Sequence, residues 1–165
     1  NPTGSVYTKE ELNIIAEIAE KNDIFIISDE IYEKLIYEEN HESIASISKD
    51  AYERTIIING LSKAYSMTGW RVGYTASSEK IASLMNKLQS HTTSNTNTIS
   101  QYAGVEALNG NQESIYLMKK AFSERRDYMI DRLNQIKDVS YIYLRPKAAV
   151  RGAGALPLLS LRWAI

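Results

Sequence analysis

The sequence predicts an α/β fold with helices flanking a mostly parallel sheet. Three observations carry this. A capped amphipathic helix runs into a short, continuous apolar stretch, Ile24-Phe-Ile-Ile27; a second such stretch, Thr55-Ile-Ile-Ile58, follows; and each ends in a polar cluster. Uninterrupted apolar runs of this length are the pattern of strands covered on both faces. Helices alternating with such strands belong to α/β architecture.

The elements follow in order. Thr8-x-x-Glu11 is a capping box ahead of Leu12, Ile15, Ile18 and Ala19 at helical spacing, which predicts a helix over 9–21. Asn22-Asp23 breaks it, and strands follow at 24–27 and 55–58. Arg71-Val-Gly-Tyr-Thr-Ala76 reads as a third strand. Residues 78–90 and 97–109 read as helices, the second stopping near Asn109-Gly110. From 113 to 136 Ile115, Met118, Phe122, Met129, Leu133 and Ile136 form one apolar stripe on a long, charged helix. Val139 to Leu144 is a candidate strand opening a second unit.

Composition narrows the function. The 165 residues carry a net charge of −1 with the signs interspersed, which offers neither a nucleic-acid footprint nor a basic membrane face. There is no cysteine, so disulfides and thiolate chemistry are out, and a cytoplasmic setting is expected. No apolar stretch reaches the roughly 18 residues of a spanning helix. The opening Asn1-Pro-Thr-Gly4 is turn chemistry, and Ala148 to Ile165 shifts to Ala, Leu and Gly without Asp or Glu. The expectation is a piece of a longer protein with a frameshifted or cloning-derived tail over 148–165.

In open parallel sheets ligands bind beyond the carboxyl ends of the strands. Ser28-Asp29-Glu30 follows the first run and Asn59 to Lys63 the second, so both clusters fall on one sheet edge. A lysine there is either a surface loop residue or an amine that forms a Schiff base, for which desolvation beside another cation equips a lysine. Its context favours chemistry: Ser62 offers a hydroxyl, Arg71 a planar fork for phosphate oxygens, and Gly69 a close turn. Asp29 reads as a helix N-cap or as the carboxylate partner of a heterocyclic nitrogen. Tyr32 covers the sheet edge or shares that site, and Asn1 is a turn residue or a donor to a phenolate or carboxylate. His41 and His91 have no carboxylate or second histidine at ligand spacing, so no metal site is expected.

Asn1-Pro-Thr-Gly4, Ser28-Asp-Glu-Ile-Tyr-Glu33 and Ser62-Lys-Ala-Tyr-Ser-Met-Thr-Gly-Trp-Arg71, with Gln89 to Asn95 and Lys120 to Tyr128, resemble the class I, fold-type I, pyridoxal-phosphate-dependent aminotransferases, within them the bacterial aspartate aminotransferases. The likeness runs from residue 1 to about 147. It implies part of the large domain over 1–112, a long linking helix and the first strand of the small α+β domain over 113–147, and nothing for 148–165. It further implies that Lys63 holds pyridoxal 5'-phosphate covalently and then relays the proton. Asp29 would pair with the ring nitrogen, Tyr32 and Asn1 with the phenolic oxygen, and Ser62 and Arg71 with the phosphate. The implied reaction passes an amino group from an amino acid such as aspartate to the 2-oxo acid 2-oxoglutarate, in a homodimeric parent whose isolated piece is inactive. Alternatives are an aromatic or prephenate aminotransferase, a β-lyase of the same fold, or the sensor domain of a transcription regulator.

Overall fold

The computed structural model describes residues 3–38, 40–136 and 147–149. The expected strand over 139–144, Asn1 and nearly all of the 148–165 segment lie outside these residues.

Helix α1 spans Lys9–Lys21 and starts as its capping box dictates. The Glu11 N–H donates to the Thr8 hydroxyl and the Thr8 N–H donates to the Glu11 carboxylate. Its far end closes through the Ile24 N–H, which donates to the Ala19 carbonyl after Asp23 turns at φ 50°. Spending that donor on the helix end delays the first strand. β1 is therefore Ile26–Asp29, two residues later than the apolar run suggested.

Helix α2 (Lys49–Arg54) feeds β2 (Thr55–Gly60), and β3 is Gly73–Ala76. The sheet order is β1-β2-β3, with β1 parallel and β3 antiparallel to β2. Helices α3 (Glu79–Thr92), α4 (Thr98–Asn109) and α5 (Glu113–Asn134) complete the chain order. A short bridge pairs Ile36 with Ala148, and the Lys147 N–H donates to the Gly4 carbonyl.

The core sits on one side of the sheet. Leu12 and Ala16 of α1 meet Ala51 of α2 and Ile44 of a 3-10 turn, with Ile26 of β1 packed against them. The opposite face corrects an expectation. Ile27 is 68% exposed and Ile58 41%, so these strands are not covered on both sides within the described residues. Alternation explains it: α1 and α2 lie over the Ile26 side, and period-2 geometry turns Ile27 the other way.

Candidate active site

The parallel register sets Asp29 beside Ile58, so β1 and β2 finish at one edge. Gly73 at the start of β3 pairs with Gly60 at the end of β2, which brings the chain after Arg71 to that edge as well. Contact is close: a Cβ on Gly60 would stand 2.8 Å from the Val72 carbonyl oxygen. One residue beyond the ladder, the Leu61 N–H donates to Val72 O at 3.2 Å.

The lysine turn is held by its apolar residues. Leu61, Ala64 and Met67 are buried at three-residue spacing, while Ser62 and Lys63 between them remain half-buried. Gly104 of α4 lies over Leu61, where an added Cβ would meet Leu61 Cδ1 at 3.0 Å. The turn closes by hydrogen bonds from the Tyr65 and Met67 N–H groups to the Leu61 carbonyl. Lys63 Nζ stands 5.8 Å from the centroid of the Tyr32 ring, within the range of a cation–π contact. Arg71 ends a 3-10 turn (Thr68–Trp70) in the left-handed region at φ 54°, ψ 46°. Its guanidinium is exposed and donates from Nη1 to the Thr68 carbonyl, so other arms of the fork face solvent.

After β1 the chain takes a turn rather than an α-helix, which corrects the N-cap reading of Asp29. Asp29 Oδ1 accepts from the Ile31 N–H at 3.1 Å, an Asx turn, and a 3-10 turn (Glu33–Leu35) follows with Tyr32 at its cap. Of the candidates, then, Lys63 lies over the Tyr32 ring at cation–π range, Asp29 closes β1 beside the same edge, and Ser62 and Arg71 flank the Leu61–Val72 bond. Asn1 lies outside the described residues.

A neighbouring group escaped the sequence reading. Glu30 is buried, and its carboxylate accepts from Ser43 Oγ at 2.7 Å and Ser28 Oγ at 3.1 Å, and meets His41 Nε2 at 2.9 Å. His41 therefore does have a carboxylate partner, and a Glu33 carboxylate oxygen also lies within 4.8 Å of a Glu30 oxygen and a His41 ring nitrogen. Burial pushes the Glu30 carboxyl up, but the His41 and Ser43 hydrogen bonds outweigh it and hold the group below its ordinary value. The bond to Glu30 raises the His41 imidazole above its own. The one sequence signal was the acidic residue in the Ser28-Asp29-Glu30 cluster, and nothing local tied it to a histidine 11 residues on.

An amine, a phenol, a carboxylate, a hydroxyl and a guanidinium at one sheet edge fit an aldehyde-bearing pyridine phosphate: amine to aldehyde, carboxylate to ring nitrogen, cation and hydroxyl to phosphate. Comparison with known proteins gives the family. A family model described as aminotransferase class I and II matches residues 1–150. An aspartate aminotransferase of Bacillus sp. (strain YM-2) is 54% identical over 137 residues, 82% of this chain and 35% of that protein. One from Bacillus subtilis (strain 168) is 44% identical over 163 residues, covering 93% of this chain and 42% of the relative. The solved aromatic aminotransferase of Pyrococcus horikoshii OT3 superposes with a TM-score of 0.84 at 39% identity, over 90% of this chain and 40% of that one. The chain thus spans well under half the length of these relatives. Among the described residues no helix is long and apolar enough to cross a membrane.

Proposed function

The chain belongs to the aminotransferase class I and II family, and from that premise we propose that it carries the cofactor-anchoring part of a transaminase of the aspartate aminotransferase type. The proposed reaction, assigned to a protein of the relatives' length, moves an amino group from aspartate to 2-oxoglutarate in a cytoplasmic homodimer. The observation that carries this reading is the Lys63 amine over the Tyr32 ring, directly beyond β2 and beside the end of β1. The aspartate aminotransferases at 54% and 44% identity support the donor.

Pyridoxal phosphate, when bound, supplies a ring that withdraws electrons from the substrate's Cα. The chain's residues do the rest. Lys63 would supply the amine that holds the aldehyde carbon and would serve as the base and acid for the proton at the substrate's Cα. Asp29 keeps the ring nitrogen protonated by charge attraction. Tyr32 and Asn1 would donate to the phenolic oxygen, and Ser62 and Arg71 would hold the phosphate, anchoring the group independently of Lys63.

Borohydride reduction of the full-length protein after loading with pyridoxal phosphate tests the assignment. The peptide containing Lys63 gains the cofactor's mass, and Lys63→Ala abolishes both the label and the visible absorbance. A label on another lysine, or absorbance surviving the substitution, removes Lys63 from its role.

A further inference from the structure

Glu30 stands between the two groups assigned to the cofactor ring, Asp29 and Tyr32, and is fastened on every side. Its N–H donates to Ile58 O at 2.9 Å, extending the β1–β2 pairing one residue past Asp29. Its carbonyl accepts from the Glu33 N–H at 3.0 Å, closing the turn that carries Tyr32. Its carboxylate draws in Ser28 from the strand, and His41 and Ser43 from the segment leading to the buried Ile44. A carboxylate this buried is stable as an ion only while its partners compensate it.

We propose that Glu30, clamped by His41 and Ser43, is a positioning residue that fixes the Asp29–Glu33 turn, so that the grip of this chain on the cofactor ring loosens when His41 loses its proton. The inference rests on the cofactor reading above and adds a determinant to it. The charged groups around the pair are Glu33 and Glu42 beside His41, Lys34 and Lys119 of α5 lining the same cleft, and Tyr74 of β3, whose phenol senses Glu33 and Glu30. Glu30, Glu33 and Glu42 all favour the imidazolium.

The sign follows from the directions already given. With His41 raised, its contribution is complete below its ordinary value of 6.5 and fades as pH climbs through the folded value. With Glu30 lowered, its contribution is complete above 4.5 and fades as pH falls through the folded value. The clamp is therefore whole between the two.

The experiment uses the full-length protein in two arms. In the first, without cofactor, NMR follows the His41 imidazole and the amide exchange protection of Ile31 and Glu33 across pH, corrected for the intrinsic rate. Protection is expected to fall through the His41 titration, because the bond to Glu30 favours the protonated imidazole in the folded turn. In the second, release of pyridoxal phosphate from the wild type accelerates over the same pH range, and in His41→Gln neither quantity shows that step. Protection that stays flat through the His41 titration, or a release step that persists in His41→Gln, overturns the proposal. Should His41→Gln not fold, Ser43→Ala serves: it weakens protection at every pH and leaves the step in place. If the wild type takes no cofactor on Lys63, the functional reading fails separately, and the exchange arm still decides whether the clamp holds the turn.

Discussion

The two polar segments at the sheet edge are held by opposite means. The turn after β1 is organised around one buried carboxylate with three side-chain partners. The turn after β2 is organised around buried Leu61, Ala64 and Met67, with Ser62 and Lys63 half-buried between them. A carboxylate–imidazole clamp responds to pH, because its strength depends on two protons. An apolar anchor does not, because burial of hydrocarbon is indifferent to titration. One site edge thus joins a tunable half to a constant half.

The largest effect expected from breaking this contrast is at Leu61, only 1% exposed. Leu61→Ala should lower stability by about 2–5 kcal/mol, as for buried leucines generally. Denaturant midpoints should show the same loss at acid and alkaline pH, and a strongly pH-dependent loss would erase the distinction. Glu30→Gln comes next, with a cost of about 1–3 kcal/mol from leaving buried partners imperfectly matched. That cost should be greatest between pH 4.5 and 6.5 and shrink above it, as the wild type's own advantage fades; a constant gap would contradict the clamp.

Arg71→Lys should sharpen the comparison from the exposed side. Cofactor retention in an equilibrium binding assay should weaken by roughly tenfold with the planar fork gone, while thermal stability moves by less than about 0.5 kcal/mol. Unchanged retention would take Arg71 out of phosphate binding. The smallest change is expected at the far end of β2, where the buried Thr55 hydroxyl has no hydrogen-bond partner among the described residues. Thr55→Val should stabilise by up to about 1 kcal/mol in thermal melts, since an unmatched polar atom is replaced by a methyl group. Destabilisation would mean the hydroxyl has an acceptor.

What could be read from the sequence was what depends on neighbours. Thr8 and Glu11 announced α1, and the apolar runs announced β1 and β2 to within two residues. The shared edge of the Asp29 and Lys63 segments followed from those runs together with the rule for parallel strands. What escaped depends on distant packing. Glu30 and His41 meet across a turn, a 3-10 turn and a bend, none of which has a periodic signature. The exposure of Ile27 escaped too, because an apolar run states that a face wants cover without stating what supplies it.

Arg71 sits in a backbone region that glycine enters freely and other residues enter at a penalty of order 1 kcal/mol. Selection for heat resistance alone would drift this position toward glycine, while retention of an anion pulls it back toward a guanidinium. If the phosphate assignment is right, tolerance of warmth and tenure of the ligand compete at a single dihedral angle, and a thermostabilised variant isolated without regard to the ligand would be expected to lose it there first.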